Sequence, residues 1–241
     1  MSALAGKTAV VTGSSRGVGA ATAKLLAAEG ANVVINYRQK APRANKVVAE
    51  IEAAGGKAVA VGADLTTAEG LEALMSAAVE SFGGLDLLVL NASGGMEKDL
   101  GEDYAMRLNR DAQVAALEAG LAHLPAGGRV VFVTSHQAHF IDDVETMPEY
   151  EQVARSKRAG ETALTERLPE MRDKGVTFVV VSGDMIEGTV TATLLDRARP
   201  GALEQRREAA GKLYSVEEFA AEVAKMATAD VETGHVELVG G

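Results

Sequence analysis

The sequence predicts an α/β protein built on one doubly wound parallel sheet with helices on both faces. Short β-branched runs alternate with longer alanine- and charge-rich stretches from one end of the chain to the other, which is the strand–helix–strand pattern of such sheets. Several runs, among them Val130-Val131-Phe132-Val133 and Phe178-Val179-Val180-Val181, are apolar without alternation. Strands covered on both faces read that way. A glycine-rich turn, Gly13 to Gly19, joins the first run to the first helical stretch. The 241 residues suit one large domain, 1–241, better than two small ones.

In order, the strands expected are Thr8–Thr12, Asn32–Asn36, Ala58–Val61, Leu85–Asn91, Arg129–Thr134, Thr177–Ser182 and His235–Val239. The helices expected between them are Gly19–Gly30, Pro42–Ala54, Thr67–Phe82, Glu102–Leu124, Pro148–Lys174 and Val216–Thr228. Two stretches, 136–147 and 189–212, fit neither pattern. Each follows a strand at the carboxyl edge of the sheet, where folds of this kind bind ligands, so each is expected either to face a substrate or to be a solvated surface loop.

Composition narrows the function. The chain has no cysteine, which excludes a disulfide framework and a thiolate zinc site. Asp142, Asp143 and Glu145 read as a solvated acidic loop, and no metal site is expected. A formal net charge of −10 argues against a nucleic-acid partner, because phosphate binding needs a basic surface. The first residues show no signal-peptide pattern, and no apolar stretch is long enough to span a bilayer. A cytoplasmic protein with no membrane partner is the expectation.

The turn Thr12-Gly13-Ser14-Ser15-Arg16-Gly17-Val18-Gly19 falls at a strand-to-helix junction in the first βαβ unit. Gly13 permits the tight turn, and the N–H groups that follow, with the helix N-terminus, can face a pyrophosphate. The second strand runs Ile35-Asn36-Tyr37-Arg38 and lacks the acidic residue that would accept the ribose hydroxyls of NAD. Arg38 stands where a 2′-phosphate would lie, and Arg16 can reach it from the turn. The planar guanidinium fork suits a phosphate, so NADP(H) is the expected cofactor.

With these motifs in order, the chain resembles the short-chain dehydrogenase/reductase family along essentially its whole length, and the resemblance implies a Rossmann-type fold. The turn matches that family's Thr-Gly-x-x-x-Gly-x-Gly completely. Ala63-Asp64-Leu65 is similar to its adenine-contacting segment, and Asn91-Ala92-Ser93-Gly94 to an altered form of its Asn-Asn-Ala-Gly. Asn109 matches its helix asparagine, Ser135 its catalytic serine, and Ser156-Lys157 the end of its Tyr-x-x-x-Lys helix. Ser182-Gly183 stands in for its Pro-Gly beside the nicotinamide, and Thr189 for its later cofactor threonine. The resemblance implies cofactor contacts from Gly13, Ser15, Arg16, Gly17, Val18, Gly19, Tyr37, Arg38, Asp64, Leu65, Asn91, Ala92, Ser93, Lys157, Ser182, Gly183 and Thr189. It also implies a homodimer or homotetramer built partly on the long helices.

One departure matters more than these matches. Four residues before Lys157 stands Val153, where the family has the tyrosine that donates a proton as hydride arrives. Valine has no proton to give, and it is expected at the place where that phenol meets the substrate oxygen. Tyr150 is the nearest substitute. Thr146-x-x-Glu149 resembles a capping box, with Pro148 tolerated in the first turn, which predicts Tyr150 early in the helix. Tyr150 and Lys157 would then share a face about two turns, roughly 10 Å, apart, too far for the lysine to act strongly on the phenol. His136 and His139 are further candidate acids in the loop after Ser135.

The reading is an atypical NADP(H)-dependent carbonyl (keto) reductase acting on a small molecule. Ser135, Lys157, Asn109 and Tyr150 form its candidate catalytic set, and the proton comes from water, a loop residue or the substrate's own hydroxyl. Two alternatives stay open: a regulatory protein that holds NADP(H) without turnover, and a non-redox lyase or isomerase on the same fold.

Overall fold

The computed structural model describes residues 2–96, 100–101 and 103–241. Seven parallel strands form one sheet in the order β3-β2-β1-β4-β5-β6-β7. They are β1 Thr8–Val11, β2 Asn32–Tyr37, β3 Lys57–Gly62, β4 Leu87–Leu90, β5 Arg129–Ser135, β6 Thr177–Gly183 and β7 His235–Val239. The order reverses direction between β1 and β4, and at such a switch point the carboxyl ends of neighbouring strands open a crevice.

The unbroken apolar runs are explained by two cores. In β1, Ala9 and Val11 feed one layer and Val10 the other; in β6, Val179 and Val181 oppose Phe178 and Val180. On the first face lie α1 (Gly17–Ala28), α2 (Ala41–Ala53) and α11 (Val216–Met226), represented by Leu26, Ile51 and Phe219. On the second lie α3 (Ala68–Phe82), α5 (Ala112–Leu121), α7 (Glu151–Thr165) and α8 (Leu168–Lys174), represented by Leu74, Leu117, Leu164 and Met171. Removing such a wholly buried side chain, as in Leu26→Ala, is expected to cost about 2–5 kcal/mol in denaturant unfolding.

Four stretches come out differently from the sequence pattern. The stretch 102–124 is not one helix, and its first residue, Glu102, lies outside the described residues. A short α4 (Tyr104–Met106) leads into a π-helical turn, Arg107–Asp111, and then into α5. The stretch 148–174 divides into α7 and α8, since Pro169 cannot donate a backbone hydrogen bond inside a continuous helix. The irregular stretch 189–212 is instead two nine-residue helices, α9 (Val190–Ala198) and α10 (Ala202–Ala210), separated by Arg199-Pro200-Gly201. Within 136–147, His136–His139 form one turn, α6. Short helices broken by Pro-Gly show too few turns for their period to stand out.

The π turn is locked by a close approach. A Cβ on Gly160 of α7 would lie 2.0 Å from the Asn109 carbonyl oxygen. Gly160→Ala must therefore push α7 off the π turn. It is expected to lower stability by roughly 1–3 kcal/mol, measured by chemical unfolding.

Candidate active site

Each glycine of the turn has its own reason. Gly13 has φ of +63° and its N–H donates to Asn36 Oδ1 at 2.9 Å. Gly17, at φ +56°, opens α1 with nothing near its missing side chain, so the backbone there can be closely approached. A Cβ on Gly19 would lie 2.5 Å from Asn91 Nδ2 and 2.8 Å from the Gly13 carbonyl, so only glycine lets α1 pack on the strands. Arg16 caps α1 with its backbone alone, and its side chain does not bond the first-turn N–H groups. Arg16 is exposed, while Ser15 and Val18 are half-buried at the mouth. The buried Thr12 hydroxyl accepts the N–H groups of Asn91 (2.9 Å) and Ala92 (3.0 Å), and Asn91 Nδ2 donates back to the Thr12 carbonyl at 2.9 Å. The altered Asn91-Ala92-Ser93 segment thus holds the glycine turn in place.

At the adenine end, Asn36 is a residue that sequence reasoning missed. It is buried, and its amide also donates to the Ala63 carbonyl at 3.1 Å, tying the glycine turn to the end of β3. The signal was a polar side chain closing the run Val33-Val34-Ile35. Tyr37 lays its ring against Gly62. Arg38 donates to the Tyr104 hydroxyl and lies over its ring, 5.4 Å from the centroid, with Arg107 at 5.9 Å from the same ring. Neither Tyr104 nor Arg107 was foreseen, since they come from a segment distant in sequence. Burial pushes the Asp64 carboxyl up, but hydrogen bonds from Thr66 and the charges of Arg38 and Arg107 hold it below the usual carboxylate range. Asp64 therefore remains an acceptor. Leu65 is buried in the second core and offers a ligand no polar side-chain atom.

At the other end, Asn91, Ser93, Ser135, Tyr150, Lys157 and Gly183 line one cavity of about 150 Å³, with Val18 and Thr189 at its side. The expected capping box does not form: α7 begins at Glu151, and Tyr150 is its cap residue, buried to 5 % exposure. From there the Tyr150 hydroxyl stands 3.4 Å from Ser135 Oγ. Lys157, one face further along α7, is 8 % exposed, and no side-chain hydrogen bond or ion pair holds its ammonium among the described residues. Asn109 sits in the π turn with its amide fully used: Nδ2 donates to the Gly94 carbonyl (2.8 Å) and Ser156 Oγ (2.9 Å), and Oδ1 accepts the Gly94 N–H (3.1 Å). It braces the loop after β4 against α7 and does not line the cavity.

The structure also places the remaining residues singled out from the sequence. Val153 does not face the cavity; it packs in an apolar cluster with Tyr150, Ala154, Met185 and Leu195. The Ser182 hydroxyl stays inside the sheet, buried and without a partner, so only Gly183 of that pair reaches the cavity. A Cβ on Gly183 would meet the Phe219 ring at 2.5 Å, which is why the strand ends in glycine. Thr189 reaches the cavity, but its hydroxyl caps α9, accepting from the Ala192 N–H (3.1 Å) and donating to Ile186 O (2.8 Å). His139 pairs with the buried Glu161 at 2.6 Å, away from the cavity. His136 faces a neighbouring, larger cavity, and burial pushes its pKa down.

A glycine turn at the sheet's switch point, beside a Ser–Tyr–Lys cavity at the carboxyl ends of β4 to β6, defines an α/β oxidoreductase-type site. The short chain dehydrogenase family model matches residues 7–199, and the chain belongs to that family. It is 36% identical over 204 residues to versicolorin reductase 1 of Dothistroma septosporum, covering 82% of this chain and 76% of that one. A short-chain dehydrogenase from Burkholderia cenocepacia, solved in complex with NADP, has a TM-score of 0.82 and 31% identity, covering 98% and 97% of the two chains. An angucycline C-6 ketoreductase with bound NADP has a TM-score of 0.80 and 27% identity, covering 99% and 96%. No helix among the described residues is long and apolar enough to cross a membrane.

Proposed function

We propose that this protein is an NADP(H)-dependent carbonyl reductase in which Tyr150 takes the place of the family's displaced tyrosine. The observation that carries the reading is the approach of the Tyr150 hydroxyl to Ser135 Oγ, 3.4 Å, in the cavity that also receives Lys157. The residues fit the cofactor. Arg16 makes no side-chain cap at the start of α1 beside an unobstructed Gly17, and Arg38 follows the end of β2 where NAD would need a carboxylate. The structural relatives solved with NADP support the same choice.

When bound, NADPH supplies hydride to the substrate carbon. This chain's residues do the rest. Ser135 and Tyr150 donate hydrogen bonds to the carbonyl oxygen, and Tyr150 gives up its proton as negative charge develops there. Lys157, with no other side-chain partner among the described residues, holds the ribose hydroxyls with its ammonium. Asn109 keeps the Gly94 loop and α7 at fixed separation, acting through position alone.

The test is NADPH oxidation with a panel of carbonyl compounds, with product identified. Net oxidation matched by alcohol formation supports the reading; cofactor binding with no turnover on any carbonyl, or product without net change in the cofactor, overturns it. Lys157→Ala is expected to weaken NADPH binding, measured by fluorescence titration, by about tenfold, or 1.4 kcal/mol. Unchanged affinity with turnover abolished would make Lys157 a proton-transfer residue instead.

A further inference from the structure

Next to the catalytic cavity lies a larger one, about 570 Å³. It is enclosed by the segment after β5, by α10 and by the end of β7. It shares Gln137, Asp184 and Met185 with the cavity of Ser135, Tyr150 and Lys157, so the two lie side by side with these three residues between them. A space of this size holds a drug-sized molecule.

Its lining is apolar in an unusual way. Val144 and Leu238, at 62% and 51% exposure, are the two most exposed large apolar side chains among the described residues, and both border this cavity. Exposed apolar groups scattered singly need no explanation, but two facing one hollow beside a reaction site do. Phe140, Met147 and Met185 continue the same lining.

The charged side chains that line the cavity balance one another. Arg206 donates from Nε to both oxygens of the buried Asp184, at 2.8 and 2.9 Å, so that pair is internally matched. Arg199 and Glu145 add one charge of each sign. His136 contributes none at neutral pH, because burial disfavours its charged form.

We infer that this cavity holds the body of a bulky, uncharged, mostly apolar carbonyl compound whose carbonyl enters the Ser135–Tyr150 cavity. This deepens the reductase reading and rests on it. Small ketones leave the apolar lining wet, and acyl groups on a polyanionic carrier find no compensating positive charge.

The experiment compares acetone, the fused bicyclic ketone α-tetralone, and acetoacetyl-coenzyme A as substrates with NADPH, for the unaltered protein, Leu238→Asp and Val144→Asp. Binding of α-tetralone is measured separately by calorimetry, and oligomeric state by sedimentation. The expected result is kcat/KM for α-tetralone roughly a hundredfold above both other compounds. Either variant should lower it about tenfold through KM and leave acetone unchanged. Val144 lies in an exposed turn, so its variant tests the lining without straining the sheet. Equal rates with acetone, a preference for the coenzyme A ester, or no effect of either variant overturns the inference. So does a change of oligomeric state in Leu238→Asp with α-tetralone kinetics intact, since the face would then be a subunit contact. If no compound is reduced but α-tetralone binds and Leu238→Asp weakens that binding, the inference stands and the reductase reading falls. The absence of both turnover and binding of α-tetralone overturns both.

Discussion

Tyr150→Phe is expected to lose at least about a hundredfold in kcat on every carbonyl reduced, with NADPH affinity unchanged. The substitution removes one oxygen and keeps the ring, which is buried in the cluster of Val153, Met185 and Leu195. Folding should survive, and a thermal melt checks it. What goes is the hydroxyl 3.4 Å from Ser135 Oγ, a contact that leaves both groups able to reach one carbonyl oxygen. General-acid catalysis is typically worth 10²–10⁴-fold, which sets the expected loss. Helix spacing alone argues for less than about tenfold, because it places Tyr150 two turns from Lys157. The geometry moves the argument from the lysine to the serine. A loss under tenfold in a folded variant, measured with both simple and hydroxy-ketones, would return the proton to water or to the substrate. Restoring the family's spacing with Val153→Tyr is expected to fail: position 153 points into the apolar cluster, so the larger ring costs about 1–3 kcal/mol and adds no acid.

Arg38→Asp is expected to reverse cofactor preference. The unaltered protein should bind NADPH at least about tenfold more tightly than NADH, some 1.4 kcal/mol, and the variant should prefer NADH by a similar factor. The new carboxylate repels the 2′-phosphate and can accept from the ribose hydroxyls. Tyr104 strengthens the expectation, since it orders the Arg38 side chain by a hydrogen bond and a ring contact before any ligand arrives. Equilibrium titration with both cofactors measures the swing. Equal affinities in the unaltered protein would show that Arg38 and Arg16 are solvated surface charges.

The sequence by itself determined the sheet and its cofactor end. Unbroken apolar runs require cover on both faces, and Gly13, Gly17 and Gly19 each sit where a side chain would either force a disfavoured φ or collide with Asn91. Such features are local, so adjacent residues reveal them. The catalytic end depended on tertiary structure. Whether Tyr150 or Val153 meets Ser135 turns on where α7 begins, and that is set by the turn before Glu151 and by the Gly160–Asn109 approach, which bring together residues far apart in the chain. The same holds for Tyr104 under Arg38 and for α10, which borders the larger cavity. No local pattern encodes which distant helix supplies an aromatic ring or closes a hollow; only packing two layers on one sheet decides it.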